Sequence, residues 1–498
     1  MKRRPVVALR RIVARVPKAA WACALVALAN GLAWSLIVPP FQVPDENAHY
    51  AYVQQVAERG TVPRHVEPEG MLSPAQDATL GAVDFYQIVG EIQNPSPWSE
   101  LQQRRLAAVE NSRLSTRGSG DALSATNNPP LYYALEAVPY KIGSSGSVLD
   151  RLALMRALSA LMGAVTVVLT YLFLKELLPG RRYAWTAGAL AVALQPLFAF
   201  MSGGVNNDNL LYLMAAGTLY ALARIFGRGL TATNGALLGA FLGVGIVAKL
   251  TLLGFVPAAV VGLALGVRRG WTRQRTASVR GAVWAVGLGA APVLIYIALN
   301  HSVWKRAALP PTVGSVPSAP GATLKYSFAQ ELSHIWQLFL PPVGMHHQFT
   351  YLPLWQTWFK GFIGKFGWLD YGFPWWFYKI ALAAAVLVVL LAVGELVRRR
   401  RALTRRAGEF AVYALATAGV CIEVGVQSYR EMIQTGGTGH FEQPRYVLPM
   451  LCLYGAIVAL AVRFGGRRWG PAIAALVVVL ALAHDLLSQA ITISRYYA

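Results

Sequence analysis

The sequence predicts an all-α polytopic membrane protein with about eleven transmembrane helices. Three observations carry that reading. The 498 residues are 55% hydrophobic and 14% charged, too apolar for a soluble globular chain. Apolar runs of about 18 to 25 residues recur, each long enough to cross a bilayer core of about 30 Å. Lys and Arg collect in alternate connections, at 2–18, 175–182, 224–228, 268–280, 398–406 and 463–468. With flanking Glu176, Glu395 and Glu409, these segments hold 26 of the 45 basic residues and 3 of the 23 acidic ones, net +23; the other 19 basic and 20 acidic residues net −1. This is the positive-inside distribution. It assigns the +22 overall charge to orientation and argues against a nucleic-acid partner.

Along the chain, a basic tail, 1–18, is expected in the cytoplasm. The first span, 19–38, runs into Val38-Pro39-Pro40-Phe41, a poor cleavage site, so it reads as an uncleaved anchor. A large outer loop, 39–151, follows, rich in Pro, Gln, Asn and Ser. Within it, 45–59 suits an interfacial helix: Asp45 can cap it, and Ala48, Tyr52, Val53 and Val56 share one face. Residues 131–140 are apolar but too short to cross, and the charge pattern needs no crossing there, so they are placed at the interface. Whether 131–149 enter the membrane further is left open. Spans follow at 152–174, 183–202, 208–226, 233–249, 250–267 and 281–299, completing a membrane module over 19–300. The pair 233–249 and 250–267 has no polar linker between its members. A second outer loop, 301–375, is rich in Pro and aromatics. The C-terminal part, 376–498, supplies spans at 376–397, 408–428, 446–463 and 470–492. Eleven crossings put both large loops and the C-terminus outside. Cys23, Cys421 and Cys452 all fall in spans and form no disulfide or metal framework.

The chemistry is expected on the outer face. Asp45 and Glu46 sit directly beyond the first span, and His49 follows by four and three residues, so on a helix all three share a direction. Carboxylates there suit a general base, although a helix N-terminus also favours them. Asp208 lies at the outer end of a later span, where it could share a metal or an acceptor hydroxyl with Asp45, or simply cap. Lys249 interrupts an apolar stretch and suits a lipid phosphate; the plainer reading is snorkelling. Arg445 starts a helix, where a cation opposes the dipole unless it binds something. The run from Phe366 to Tyr378, including Trp368, can stack on a sugar or line a lipid groove; Trp375 and Trp376 read as an interfacial belt. His346 and His347 are adjacent, so they do not face one metal. Glu423 and Asp485 fall inside spans.

Pro-Asp-Glu-x-Ala-His after the first span resembles the DUF2142 family of predicted membrane proteins. So do Asn127-Asn128-Pro129-Pro130-Leu131-Tyr132-Tyr133, Asn207-Asp208, Phe366-Gly367-Trp368-Leu369 and Arg445-Tyr446-Val447-Leu448-Pro449. That family resembles a branch of the GT-C glycosyltransferases, alongside protein mannosyltransferases and aminoarabinose transferases. The resemblance implies a GT-C-like fold and an inverting transferase using a polyprenyl-phosphate-linked sugar. It implies catalytic roles for Asp45, Glu46 and Asp208 and donor-phosphate contacts for Lys249 and Arg445. His49, Asn128, Tyr132 and Trp368 are expected around the substrate. No cofactor is required, and a divalent ion at Asp45 and Asp208 stays open. The acceptor is a glycan, a lipid or a protein. One departure is Phe441-Glu442-Gln443-Pro444 before Arg445, where relatives tend to have Gln-Gly. The competing class is a flippase or transporter, which would place ionisable residues near the midplane; a non-catalytic assembly protein is a third.

The orientation is directly testable. Cysteines introduced at 120 or 320 should be labelled from outside, and those at 273 or 402 should not. Outside labelling at 273 would overturn it.

Overall fold

The computed structural model describes residues 16–63, 72–91, 93, 99–118, 124–272, 274–306, 326–342, 355–435 and 441–497. Most of the basic tail, and His346 and His347, lie outside these. The expected apolar segments all form helices, but not all are full-length spans. Among the described residues, nine helices are long and apolar enough to cross a membrane, from Lys18–Ile37 to Gly466–Tyr497. A tenth is a broken pair, Arg182–Ala193 and Pro196–Ser202, bent by 60°. Pro196 cannot continue the first helix, and Gln195 caps the second through the Phe198 N–H at 2.6 Å. The expected span 233–249 is a helix of only 15 residues, Ala232–Ile246. It makes an unusually close approach to Arg275–Leu299. A Cβ on Gly235, Gly239 or Gly243 would fall 1.8, 2.3 or 2.6 Å from the carbonyls of Gly281, Ala285 and Gly289. This ridge at intervals of four lets the two backbones touch, the usual way membrane helices associate.

The basic connections gather at one end of the bundle. Arg228 pairs with Glu176. Arg406 donates to Leu177 O at 2.7 Å and pairs with Glu409. Tyr183 donates to Gly466 O at 2.6 Å, and Arg463 reaches Glu395 at 3.3 Å. The helix Asp208–Arg228 has Arg228 at this end and Asp208 at the other, about 30 Å away at 1.5 Å per residue. Short helices of the first loop, Glu46–Arg59, Pro74–Ala82 and Leu131–Ile142, cover the Asp208 end.

One buried clamp sets that end. Arg156, in the span Val148–Leu177, grips Glu46 through Nε–Oε1 at 2.8 Å and Nη2–Oε2 at 2.6 Å. The same guanidinium donates to the carbonyls of Ser35, Val38 and Pro39, satisfying orphan groups where the first span ends. Phe41 N and Val205 N complete the Glu46 shell, both at 2.9 Å.

Glu46 is fully buried, so removing its cation should destabilise strongly. Arg156→Met is expected to lose about 3–5 kcal/mol, read as thermal unfolding in detergent. Adding Glu46→Gln should recover part of that loss. An unchanged midpoint in Arg156→Met would contradict the clamp.

Candidate functional site

Asp45 occupies the N-cap position of Glu46–Arg59 but does not cap it. Its backbone is left-handed, φ 61° and ψ 8°, a conformation that costs a non-glycine residue about 1–2 kcal/mol. The effect is to turn the carboxylate away from the helix N–H groups. Arg445 Nη2 donates to Oδ2 at 2.5 Å, and Ser124 Oγ donates to Oδ1 at 3.2 Å. The expected shared direction of Asp45, Glu46 and His49 is therefore corrected. Glu46 turns into the Arg156 clamp, and Asp45 and His49 are left on the other side.

Arg445 joins segments 400 positions apart. Besides Asp45, its Nη1 donates to Pro44 O at 3.2 Å and its Nε lies 3.4 Å from Asp208 Oδ2. Its own carbonyl accepts from Tyr212 at 3.2 Å. Asp208 is 1% exposed and receives Lys249 Nζ on Oδ1 at 2.6 Å. Lys249 stands where the chain reverses, between Ala232–Ile246 and the 3-10 turn Leu250–Phe255. Its amide closes on Gly245 O, and Asn207 Nδ2 donates to Ala248 O, so the reversal needs no polar linker. Nζ also lies 5.3 Å over the Tyr446 ring. The result is an alternating lattice, Asp45–Arg445–Asp208–Lys249, drawn from four segments. Asp45 and Lys249 are its open members, at 23% and 17% side-chain exposure, while Arg445 and Asp208 are sealed.

Burial works to raise the Asp45 carboxyl, but Arg445, His49 and Lys249 outweigh it and hold it below its ordinary value. His49 is driven the other way. Burial, reinforced by Lys249 and Arg445 against the pull of Asp45 and Asp208, lowers it to about 3, so the ring is neutral at neutral pH. Its Nδ1 is 2.9 Å from Tyr133 OH. Tyr133 stacks on Tyr52 with ring centroids 3.6 Å apart. Asn128 braces this stack: its carbonyl accepts from Tyr52 at 3.1 Å and lies 3.4 Å from Arg306 Nη2.

Two expected substrate contacts lie elsewhere. Tyr132 is fully buried and points into the bundle, bonding Ser159 Oγ at 2.9 Å, which in turn donates to Glu136. Successive residues on a helix face different ways, and it is Tyr133 that meets His49. Trp368 packs edge-on against Phe85 at 6.1 Å in a turn braced by the Asp370–Arg495 pair. The sequence reading missed Tyr133, Arg156 and Arg306. Arg156 carried a legible signal, an arginine within an apolar span.

Residues 28–454 match the family described as predicted membrane protein DUF2142, and the chain belongs to that family. No curated protein matches it. Among solved structures it is similar to the oligosaccharyltransferase of the archaeon Archaeoglobus fulgidus in its apo form, with TM-score 0.51 and 13% identity. It is equally similar, at 14% identity, to that enzyme, AglB, in complex with an inhibitory peptide and a dolichol-phosphate. Each match covers 96% of this chain but only 56% of the enzyme, so the chain spans about half that protein's length. The likeness is one of fold, and the fold is GT-C-like.

The lattice makes its buried member the less replaceable one. Asp208→Asn should destabilise the protein by about 3–5 kcal/mol, since it strips Lys249 and Arg445 of a sealed partner. Asp45→Asn should cost clearly less, because water reaches that carboxylate. Thermal unfolding of the two variants, side by side, checks the order. The reverse order would mean that Asp45, not Asp208, anchors the cations.

Proposed function

We propose that this chain is a multi-pass membrane glycosyltransferase of the cytoplasmic membrane, with its lattice at the outer face. It moves a sugar, with inversion, from a polyprenyl-phosphate donor to a hydroxyl-bearing glycan, lipid or protein. The observation that carries the reading is the lattice: two carboxylates and two cations meet at the end of the bundle away from the basic connections. The GT-C-like fold supports it, as does a neighbour solved with dolichol-phosphate.

Asp45 is the base. It is ionised, partly open to solvent, and held out of its capping role by a strained backbone, a combination typical of working groups. It takes the acceptor's proton as the acceptor oxygen bonds to the anomeric carbon. The bond from that carbon to the phosphate oxygen breaks, and its electron pair leaves with the polyprenyl phosphate. Lys249 faces that phosphate. An ammonium has three donors, of which Asp208 takes one. Arg445 has less to offer, since each of its nitrogens already faces an oxygen. Its role here is to position Asp45 against Asp208. Glu46, inside the Arg156 clamp, has no part in proton transfer. Neutral His49 can hydrogen-bond a substrate hydroxyl, and Asn128 acts through the aromatic stack. Asp45 and Asp208 do not suit a divalent ion, because a guanidinium already fills the space between them.

The flippase alternative draws little from the acids inside the spans. Asp485 is held by Trp34 Nε1 and Gln489 Nε2, at 3.1 and 3.0 Å, and Glu423 by Gln427 on its own helix.

Asp45→Asn should fold, keep donor affinity and lose about 10²- to 10⁴-fold in turnover. Lys249→Ala should weaken donor binding as well as turnover, because it removes a charge that acts in both ground and transition states. The pH profile should be flat from about pH 8 to 5 and fall only below the ordinary Asp value of about 4, with no limb from His49. Normal turnover in a folded Asp45→Asn protein would remove Asp45 from the mechanism.

A further inference from the structure

Most charged side chains brought into this bundle meet an opposite charge or a neutral hydrogen-bond partner: Arg224 bonds Asn234 and Tyr220, Arg306 the carbonyls of Pro63 and Thr126, and Arg430 bonds Gln427. Arg156 has Glu46, Arg151 has Glu58, Arg463 has Glu395, Arg495 has Asp370, and Lys249 and Arg445 share two aspartates. Lys360 and Lys365 break the pattern. Both are half-buried, and among the described residues neither has an acidic partner or a side-chain hydrogen bond. They are held at one place by the fold. Lys360 Nζ lies 5.3 Å over the ring of Tyr378. Lys365 sits opposite Gly372 in a two-residue strand pair, and a Cβ on Gly372 would fall 2.5 Å from Tyr378 Oη and 3.4 Å from Lys365 Cγ. Tyr378 is itself fixed, donating to Gly364 O at 2.8 Å and accepting from Phe373 N at 3.0 Å. Lys360 Nζ thus lies on the face of one buried tyrosine, and Cγ of Lys365 comes near the hydroxyl of the same residue. Burial, and then the nearness of Lys360, pushes Lys365 below the ordinary lysine value, with no anion pulling it back.

The surroundings identify the counter-ion. Trp375, Trp376 and Ile380, at the start of the next span, are 67%, 51% and 61% exposed, an aromatic rim facing the bilayer boundary. On the other side, Gly361 packs so tightly on Pro444 that a Cβ would sit 2.6 Å from its ring, one residue from Arg445. The lysine pair therefore lies between the lipid boundary and the ion lattice. An anion that arrives there from the membrane, at headgroup depth, is a phosphate ester on a hydrophobic tail.

We infer that Lys360 and Lys365 form a second phosphate site, which holds the phosphate of an anionic lipid at the membrane boundary beside Tyr378. The site does not depend on glycosyl transfer. A polyprenyl phosphate and a phospholipid such as phosphatidylglycerol offer the same chemistry, and the experiment separates them.

The test uses the full chain in detergent, with binding followed by native mass spectrometry. The probes are undecaprenyl phosphate, phosphatidylglycerol and undecaprenol, which lacks the phosphate. Each lysine is expected to contribute about fivefold in affinity, so Lys360→Gln with Lys365→Gln should weaken a phosphate lipid about 25-fold. Undecaprenol should bind as before, and Lys360→Arg with Lys365→Arg should restore the phosphate lipid to within a few-fold. A loss confined to undecaprenyl phosphate assigns the site to an isoprenoid lipid. A loss confined to phosphatidylglycerol assigns it to a bilayer phospholipid, and a loss for both leaves it general; each supports the site. Unchanged affinity for both phosphate lipids overturns it, as does an equal loss for undecaprenol.

Discussion

Asp208 is sealed from solvent with a lysine on one oxygen and an arginine near the other. A carboxylate cannot stay ionised in such a place without cations, and the cations cannot stay without it. That mutual requirement ties together the start of one span, the reversal between two others, and the turn at Pro444–Met450. At the edge of the lattice Arg445 also reaches Asp45 and the carbonyl of Pro44. The strained backbone at Asp45 is then understandable: the residue faces Arg445 at the expense of its helix.

The Glu46–Arg156 clamp does different work with similar chemistry. It fixes where the first span ends and where the next helix starts, so Asp45 emerges at a set height above the bundle. Two neighbouring carboxylates are thus divided, one to structure and one to the open lattice. A helical-face argument could not separate them, because it assumed regular helix through Asp45, where the chain is left-handed.

The span pattern was legible because a bilayer demands long apolar helices and because basic residues mark one set of ends. The two segments that depart from full length do so for local reasons, the break at Pro196 and the reversal of the chain at Lys249; the glycine ridge at 235, 239 and 243 sets how closely the shorter helix packs on its neighbour. The ridge was readable as glycines at intervals of four. Asp45, Asp208, Lys249 and Arg445 stood out as charges at the rims of apolar runs, and the structure brings them into contact. What the sequence left hidden was rotation about a helix axis. Tyr132 and Tyr133 look alike in sequence, yet only one meets His49. Trp368 sits in a run rich in aromatics, yet its partner is Phe85, from a distant part of the first loop.

The most direct measurement is a structure of the protein bound to a polyprenyl phosphate in a lipid nanodisc. The account predicts the phosphate within hydrogen-bonding reach of Lys249 Nζ, about 3 Å, with the Asp45 carboxylate facing the open side and Glu46 still in its clamp. A phosphate bound far from Lys249, with the Asp45–Arg445–Asp208–Lys249 lattice closed and untouched, would contradict it.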